Sequence, residues 1–289
     1  MVSSLEMSFM LLHPPSCSFM VPSKLVDNAA VRALRSVRVT RYVTPLREGG
    51  SLPAIVEGDD DGLYVLKFRG AGQGTRALTA ELLSGEIART LGLPVPELVF
   101  MHLDPDLART EPDPEIFSLI KDSAGVNLGL DYLPGSVTFD PVVDPIDPEL
   151  AARILWFDAY VTNVDRSPRN TNMLMWHRKL WLIDHGATLY FHHTPGWETA
   201  PDRSQEPFTL IKDHVLRLKA RKLRDLDPDL AARVTPEAID DIVALVPDAW
   251  MSDDGSGAEA VVRRDAYRRY LTDRVAGSRS FVEEAARVG

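Results

Sequence analysis

From Val37 to Val43 apolar residues alternate with basic or hydroxyl ones, the period of a strand with one buried face. Pro45 and Gly49-Gly50 interrupt the pattern, and Leu52 to Glu57 resumes it, which predicts a hairpin. After the polar turn Gly58 to Gly62, the β-rich run Leu63-Tyr64-Val65-Leu66-Lys67-Phe68 predicts a third strand of a small antiparallel sheet. Gly70-Ala71-Gly72-Gln73-Gly74 then leads into a helix over Leu78 to Leu91, with apolar residues at Leu78, Leu82, Ile87, Ala88 and Leu91. Gly92 and Pro94 stop it. Leu98 to Leu103 and Ile116 to Ile120 read as two further strands, separated by the proline- and acid-rich loop Asp104 to Glu115.

Pro134-Gly135 and the proline-rich run Pro141 to Pro148 mark a connector. Beyond it, Pro148 to Thr162 predicts a helix with an apolar face of Leu150, Ile154, Leu155 and Phe157. Two short apolar runs, Asn172 to Trp176 and Leu180 to Ile183, flank His177-Arg178-Lys179 and predict a hairpin carrying Trp176 and Trp181 as core residues. Helical stretches follow near Pro207 to Leu223, Pro236 to Val246 and Ala258 to Ala286. A β-rich first half with one helix, then a helix-rich second half, predicts an α+β fold. The expected division is a weakly ordered leader over 1–36, a sheet-and-helix unit over 37–135, and a mainly helical unit over 136–289.

The 289 residues are 45% hydrophobic and 26% charged, an ordinary globular mixture that can bury a large core. The formal net charge of −10 repels a polyanion at long range, so no nucleic-acid partner is expected. Cys17 is the only cysteine, which excludes an intrachain disulfide and makes a cytoplasmic location the simplest expectation. The apolar start, Met7 to Met20, is broken by His13, Pro14 and Pro15 and lacks a basic flank. It reads neither as a signal peptide nor as a membrane span.

The candidate chemistry lies between Phe157 and Phe191. Asn163-Val164-Asp165-Arg166-Ser167-Pro168-Arg169-Asn170 follows the predicted helix, and Asp184-His185-Gly186 ends the predicted hairpin. Phosphoryl transfer needs a carboxylate to orient the attacking hydroxyl and oxygen ligands to hold magnesium against the phosphates. Asp165 supplies the first, and Asn170 and Asp184 supply the second. The spacing from Asp165 to Asn170 is the D-x-x-x-x-N of a kinase catalytic loop, and Asp184 stands where a D-F-G aspartate would. Such a site also requires a lysine on an interior strand and a glutamate on the next helix. Lys67 is that lysine, and Glu81 that glutamate, with Glu86 as the alternative.

Asn163-Val164-Asp165 with Asn170, the Leu182-Ile183-Asp184 ending, the Ala80-Glu81 helix and the stop Gly92-Leu93-Pro94-Val95-Pro96 together resemble the HipA-like kinase family. The likeness runs from about Val37 to the C-terminus. It implies a bilobal protein-kinase-like fold, with a small β-rich N-lobe and a helix-rich C-lobe. It also implies ATP with Mg2+ and phosphorylation of a hydroxyl, commonly a serine or threonine of a protein. By resemblance Asp165 is the catalytic base, Asn170 and Asp184 are the metal ligands, and Lys67 binds phosphate. No counterpart of the extra N-terminal subdomain of the family's toxin members is visible, so a toxin role and an antitoxin partner do not carry over.

Gly49, Gly50 and Ser51 fall between the first two strands, where backbone N–H groups can approach phosphate, and Gly70, Gly72 and Gly74 form a rival loop. Asn127 to Pro134 is the candidate adenine-binding strand. His185, His192 and His193 lack metal-site spacing and are expected to line the cleft. The basic run Arg217, Lys219, Arg221, Lys222 and Arg224, interleaved with leucines, reads as the wet side of an amphipathic helix, or as a contact for an acidic substrate or RNA. Two other functions use the same residues: a nucleotide-binding pseudokinase, and a metal-dependent phosphohydrolase built on Asp165, Asp184 and the histidines.

Overall fold

The computed structural model describes residues 33–46, 52–199, 203–253 and 256–288. Most of the expected leader, residues 1–32, lies outside them, and the first strand begins at Arg35. Strands β1 (Arg35–Pro45), β2 (Ala54–Gly58), β3 (Leu63–Lys67), β4 (Leu98–Leu103) and β5 (Gly125–Asp131) close into a barrel in the order β1-β2-β3-β5-β4. The alternation seen in the sequence puts Val37, Val39, Val56, Tyr64, Leu66, Val99 and Met101 in one buried cluster. Closure comes from a parallel pairing of β1 with β4, which a simple antiparallel sheet lacks. Gly129 lets β5 approach β4, since a Cβ there would lie 2.5 Å from Met101 Cγ.

Ile116 to Ile120 is not a strand. It belongs to α2 (Pro114–Asp122), following α1 (Gly74–Thr90) in the chain. Asp113 accepts the N–H groups of Glu115 and Ile116, Pro114 occupies the first turn, and only Ile116 and Ile120, one helical turn apart, are buried. A short apolar run has no period by which strand and helix separate. The fifth strand is instead Gly125–Asp131.

Helix α1 is buried on every residue from Leu78 to Ala88, because the barrel covers one side and later helices the other. The second half begins with β6 (Val137–Thr138) and α3 (Pro148–Tyr160), which Asp147 caps at the Leu150 N–H. Next come β7 (Met173–Trp176) and β8 (Lys179–Leu182). Trp176 and Trp181 meet edge to face at 5.7 Å, half-buried, and Trp176 Nε1 donates to Pro134 O. The stretch 207–222 is not the expected helix. It holds one 3-10 turn, Thr209–Asp213, and then irregular turns. The Val215 N–H bonds Arg166 O, and the Leu216 N–H bonds the His214 ring. Those bonds take the backbone out of a helical ladder.

Helices α4 (Leu223–Arg233), α5 (Pro236–Ala244), α6 (Asp248–Met251), α7 (Gly257–Ala276) and α8 (Ser280–Val288) complete the chain. The last two replace one expected helix, which breaks at Gly277 and Ser278. One apolar cluster runs from α1 (Leu82, Leu83, Ile87) through α3 (Trp156, Phe157, Tyr160) to Phe281 of α8. Trp250 of α6 inserts between the halves, with its ring 5.8 Å from Phe100 and Nε1 donating to Val126 O at 3.0 Å. No helix among the described residues is long and apolar enough to cross a membrane.

Trp250→Ala removes a side chain that is 1% exposed, together with its bond to β5. The expected cost is about 3–5 kcal/mol, read as a lower urea midpoint, with the loss centred where α6 meets the barrel.

Candidate active site

Along β3, Tyr64 and Leu66 fill the barrel, so the alternate residues Val65 and Lys67 point the other way, toward α1. Lys67 Nζ donates to Glu81 Oε2 and to Asp184 Oδ1, both at 2.6 Å. Glu81 is fully buried, whereas the Asp184 side chain is 51% exposed. Burial opposes the charge on Lys67, but Asp184 and Glu81 outweigh it and hold the ammonium above its ordinary pKa. Burial likewise pushes Glu81 up, but Lys67 and then His185 Nδ1, 3.4 Å from Oε1, bring its carboxyl well below the usual range. Glu86 turns elsewhere and pairs with Arg89 at 3.3 Å.

Asp184 follows β8 with φ at +57°. A short polar side chain tolerates that left-handed conformation, which swings the carboxylate out of the strand direction. His185 points inward and is buried, its ring edge-on to Phe157 at 5.6 Å. Thr188 fixes the turn by donating both N–H and Oγ1 to His185 O, and its hydroxyl meets Ser84 of α1 at 2.6 Å.

The Asp165 loop is held from beneath. Asp165 Oδ2 accepts from Asn170 Nδ2 at 2.9 Å and Asn172 Nδ2 at 3.2 Å, and Oδ1 has no partner among the described residues. The Asp165 N–H donates to Asn163 Oδ1, and Asn163 Nδ2 donates to Asp158 Oδ1 at 2.8 Å. Asp158 Oδ2 also accepts from Arg166 Nε at 2.6 Å and His214 Nε2 at 2.8 Å, and all three of these side chains are buried. Arg166 reaches on to the carbonyls of Thr171 and Asn172 and so ties the two ends of the loop together. His214 Nδ1 accepts the Leu216 N–H, so the ring proton sits on Nε2 and is donated to Asp158. Against the upward push of burial, Arg166 and then His214 and Asn163 hold the Asp158 carboxyl at about 2.

The two halves of the site meet through Asn172. Its carbonyl accepts the Ile183 N–H at 3.0 Å, one residue before Asp184, while its side chain touches Asp165. No sequence motif assigns a role to Asp158, Arg166, Asn172 or His214. A visible signal was present for one of them: Asp158 stands alone in Trp156-Phe157-Asp158-Ala159-Tyr160, and an aspartate in an apolar helix must find partners.

The other expected contacts divide. Gly49, Gly50 and Ser51 lie outside the described residues. In the rival loop the N–H groups of Gly70, Ala71 and Gly74 are spent on Ser123, Phe68 and Ala71. Asn127 is a buried clamp that accepts the Arg69 N–H and donates to Ser123 and Gly125. At the end of the same strand and just past it, Asp131 and Tyr132 give their N–H groups to Glu97 and Leu63, whereas the N–H of buried Leu133 has no partner among the described residues. The histidines do not line the cleft together. His192 is buried, bonding Tyr267 at 2.8 Å and His193 at 3.0 Å, and burial, then His193 and Arg76, hold it well below its ordinary pKa. Among the described residues no group of three or more His, Cys, Asp or Glu can hold a metal.

Asn170 spends its amide nitrogen on Asp165 and keeps Oδ1 open, and Asp184 spends Oδ1 on Lys67 and keeps Oδ2 open. Hard oxygen donors of this kind, at exposed positions that leave room for water, suit a hard divalent cation.

The family model described as HipA-like kinase matches residues 39–275, from within β1 almost to the end of α7. Among solved structures the chain is similar to the Helicobacter pylori proinflammatory kinase CtkA, at 12% identity and a TM-score of 0.49 over 88% of this chain and 98% of that one. It is also similar to the Golgi casein kinase, at 12% identity and a TM-score of 0.44 over 87% of this chain and 72% of that one. The Golgi casein kinase with Mn/ADP bound gives 12% and 0.43, over 87% and 73%. No curated protein matches the chain.

Asp158→Asn leaves the Arg166 charge buried without its counter-ion and is expected to cost about 3–5 kcal/mol in urea unfolding. The carboxyl is depressed from 3.8 to about 2, so the stability it contributes is complete above the unfolded value and is lost as pH falls through the folded one. The gap between wild type and Asp158→Asn is therefore expected to narrow as unfolding is repeated from about pH 5 down to about pH 2.

Proposed function

Because the chain belongs to the HipA-like kinase family and is a kinase-type phosphotransferase, we propose that it transfers the γ-phosphate of ATP to a hydroxyl, with a serine or threonine of a protein as acceptor. The observation that carries this reading is the Lys67 ammonium, held 2.6 Å from both Glu81 and Asp184 on three separate elements. In this reading the barrel with α1 is the small lobe and residues 136–289 are the large lobe, and the enzyme works in the cytoplasm.

Glu81 fixes the Lys67 ammonium where phosphate oxygens can compete with Asp184 for it. Asn170 Oδ1 and Asp184 Oδ2 would hold the magnesium ion, which when bound neutralises charge on the phosphates. Asp165 has both amide donors on Oδ2, so Oδ1 is the atom that accepts a hydrogen bond from the acceptor hydroxyl and then its proton. The unpartnered Leu133 N–H at the end of β5 is the natural donor to an adenine ring. Gly49, Gly50 and Ser51 are proposed to cover the phosphates from between β1 and β2.

Asp165→Ala is expected to lower phosphate transfer about 10²–10⁴-fold with little change in thermal unfolding, since the side chain is only partly buried. Consumption of γ-phosphate measured with wild type, Asp165→Ala and Lys67→Met separates the alternatives. A pseudokinase shows none in any of them, and a phosphohydrolase retains its rate in Lys67→Met. Transfer that survives in Asp165→Ala removes the assigned base.

A further inference from the structure

We propose that the surface formed by residues 212–222 and Arg169 docks an acidic segment of the protein acceptor, an inference that rests on the kinase reading of the neighbouring site. The chain as a whole carries a net charge of −10, yet from Lys212 to Lys222 there are five cations, Lys212, Arg217, Lys219, Arg221 and Lys222, against the single acid Asp213. None of these cations, nor Arg169, has a carboxylate partner among the described residues. Most other arginines on the surface do, as Arg224 does with Glu283, Arg203 with Glu206 and Arg153 with Glu149. Arg221 spends its guanidinium only on the carbonyls of Leu218 and Ala220.

The sequence pattern alone suggests the wet side of a helix, but the chain here is a set of turns with Leu218 63% exposed. These turns are anchored to the candidate catalytic loop. Val215 donates its N–H to Arg166 O at 3.1 Å, one residue from Asp165, and His214 bonds Asp158 beneath the same loop. At their other end the turns are tied to the start of α3, where Arg221 N bonds Pro148 O, so they run along that helix away from the loop. Arg169 is exposed within the loop itself, between Asp165 and Asn170. Unpaired cations carried on turns that bond the loop of the residue that would take the acceptor's proton are complementary to carboxylates along the acceptor segment. Unpaired cations on an acidic protein mark a local charge reversal, and attraction there acts over about a Debye length, roughly 8 Å at physiological salt. The spread over several turns fits an extended segment better than one small anion. The overall negative charge disfavours a longer polyanion such as RNA.

The test uses the full chain and three short fluorescein-labelled probes: a serine flanked by glutamates, the same peptide with glutamines, and single-stranded RNA of matched length. Fluorescence anisotropy is expected to show the glutamate peptide bound and the glutamine peptide bound about tenfold or more weakly, with the preference shrinking as salt rises. In Lys212→Glu/Arg217→Glu/Lys219→Glu the preference is expected to vanish, and in the milder triple change to Gln to fall part of the way. Equal binding of both peptides by wild type overturns the inference, as does a preference that survives the charge reversal or RNA bound more tightly than the glutamate peptide. Phosphate transfer by the wild type is measured separately. If the acidic peptide binds but no phosphate is transferred, the kinase reading fails while the surface assignment stands.

Discussion

The arrangement of this protein depends on one ammonium group shared by two carboxylates. Lys67 comes from a barrel strand, Glu81 from the helix behind it, and Asp184 from the end of a hairpin more than a hundred residues away. A lysine this enclosed stays charged only because both anions face it, and a glutamate as buried as Glu81 stays charged only because the lysine does. Removing Lys67 leaves the Glu81 carboxylate without its main counter-ion in a medium that solvates it poorly. The contact therefore fixes the relative placement of β3, α1 and the end of β8, and it leaves the outer oxygen of Asp184 facing solvent.

A second ionic cluster does for the Asp165 loop what the first does for the barrel. The Asp158 carboxylate receives three donors, from Asn163, Arg166 and His214, and Arg166 passes the restraint on to the carbonyls of Thr171 and Asn172. Buried ion pairs of this kind add little net stability over an apolar core, but they tolerate few alternative geometries. The loop gains a fixed carboxylate at Asp165, one oxygen of which is occupied and one open. The same cluster includes His214, and through it the turns that hold the unpaired cations are bonded to the loop.

Apolar packing explains why these charges can be buried at all. Trp156, Phe157 and Tyr160 of α3 belong to the buried apolar cluster that covers the helix carrying Asp158, and the same cluster extends to α1, which carries Glu81. Trp250 closes the junction with the barrel from the far side. Polar groups inside such packing must be matched in pairs, which is why each site residue reached by the chain arrives with a partner already in place.

The sequence by itself determined the residues whose placement follows from a local period: strands β1 to β4, helices α1 and α3, the β7–β8 hairpin, and hence Lys67 and Glu81 on their elements, Asp165 and Asn170 in the loop after α3, and Asp184 just past the hairpin. Its motifs also carried the HipA-like kinase resemblance that the family match over residues 39–275 bears out. Tertiary structure alone decided that Ile116 to Ile120 is helical, that β1 closes a barrel on β4, and that residues 207–222 leave the helix their spacing suggests. It also recruited Asp158, Arg166, Asn172 and His214. The reason is the same in each case. A period of two or 3.6 residues is written in neighbouring side chains, whereas a buried charge or an irregular backbone is fixed by a hydrogen-bonding partner far along the chain, which no local window contains.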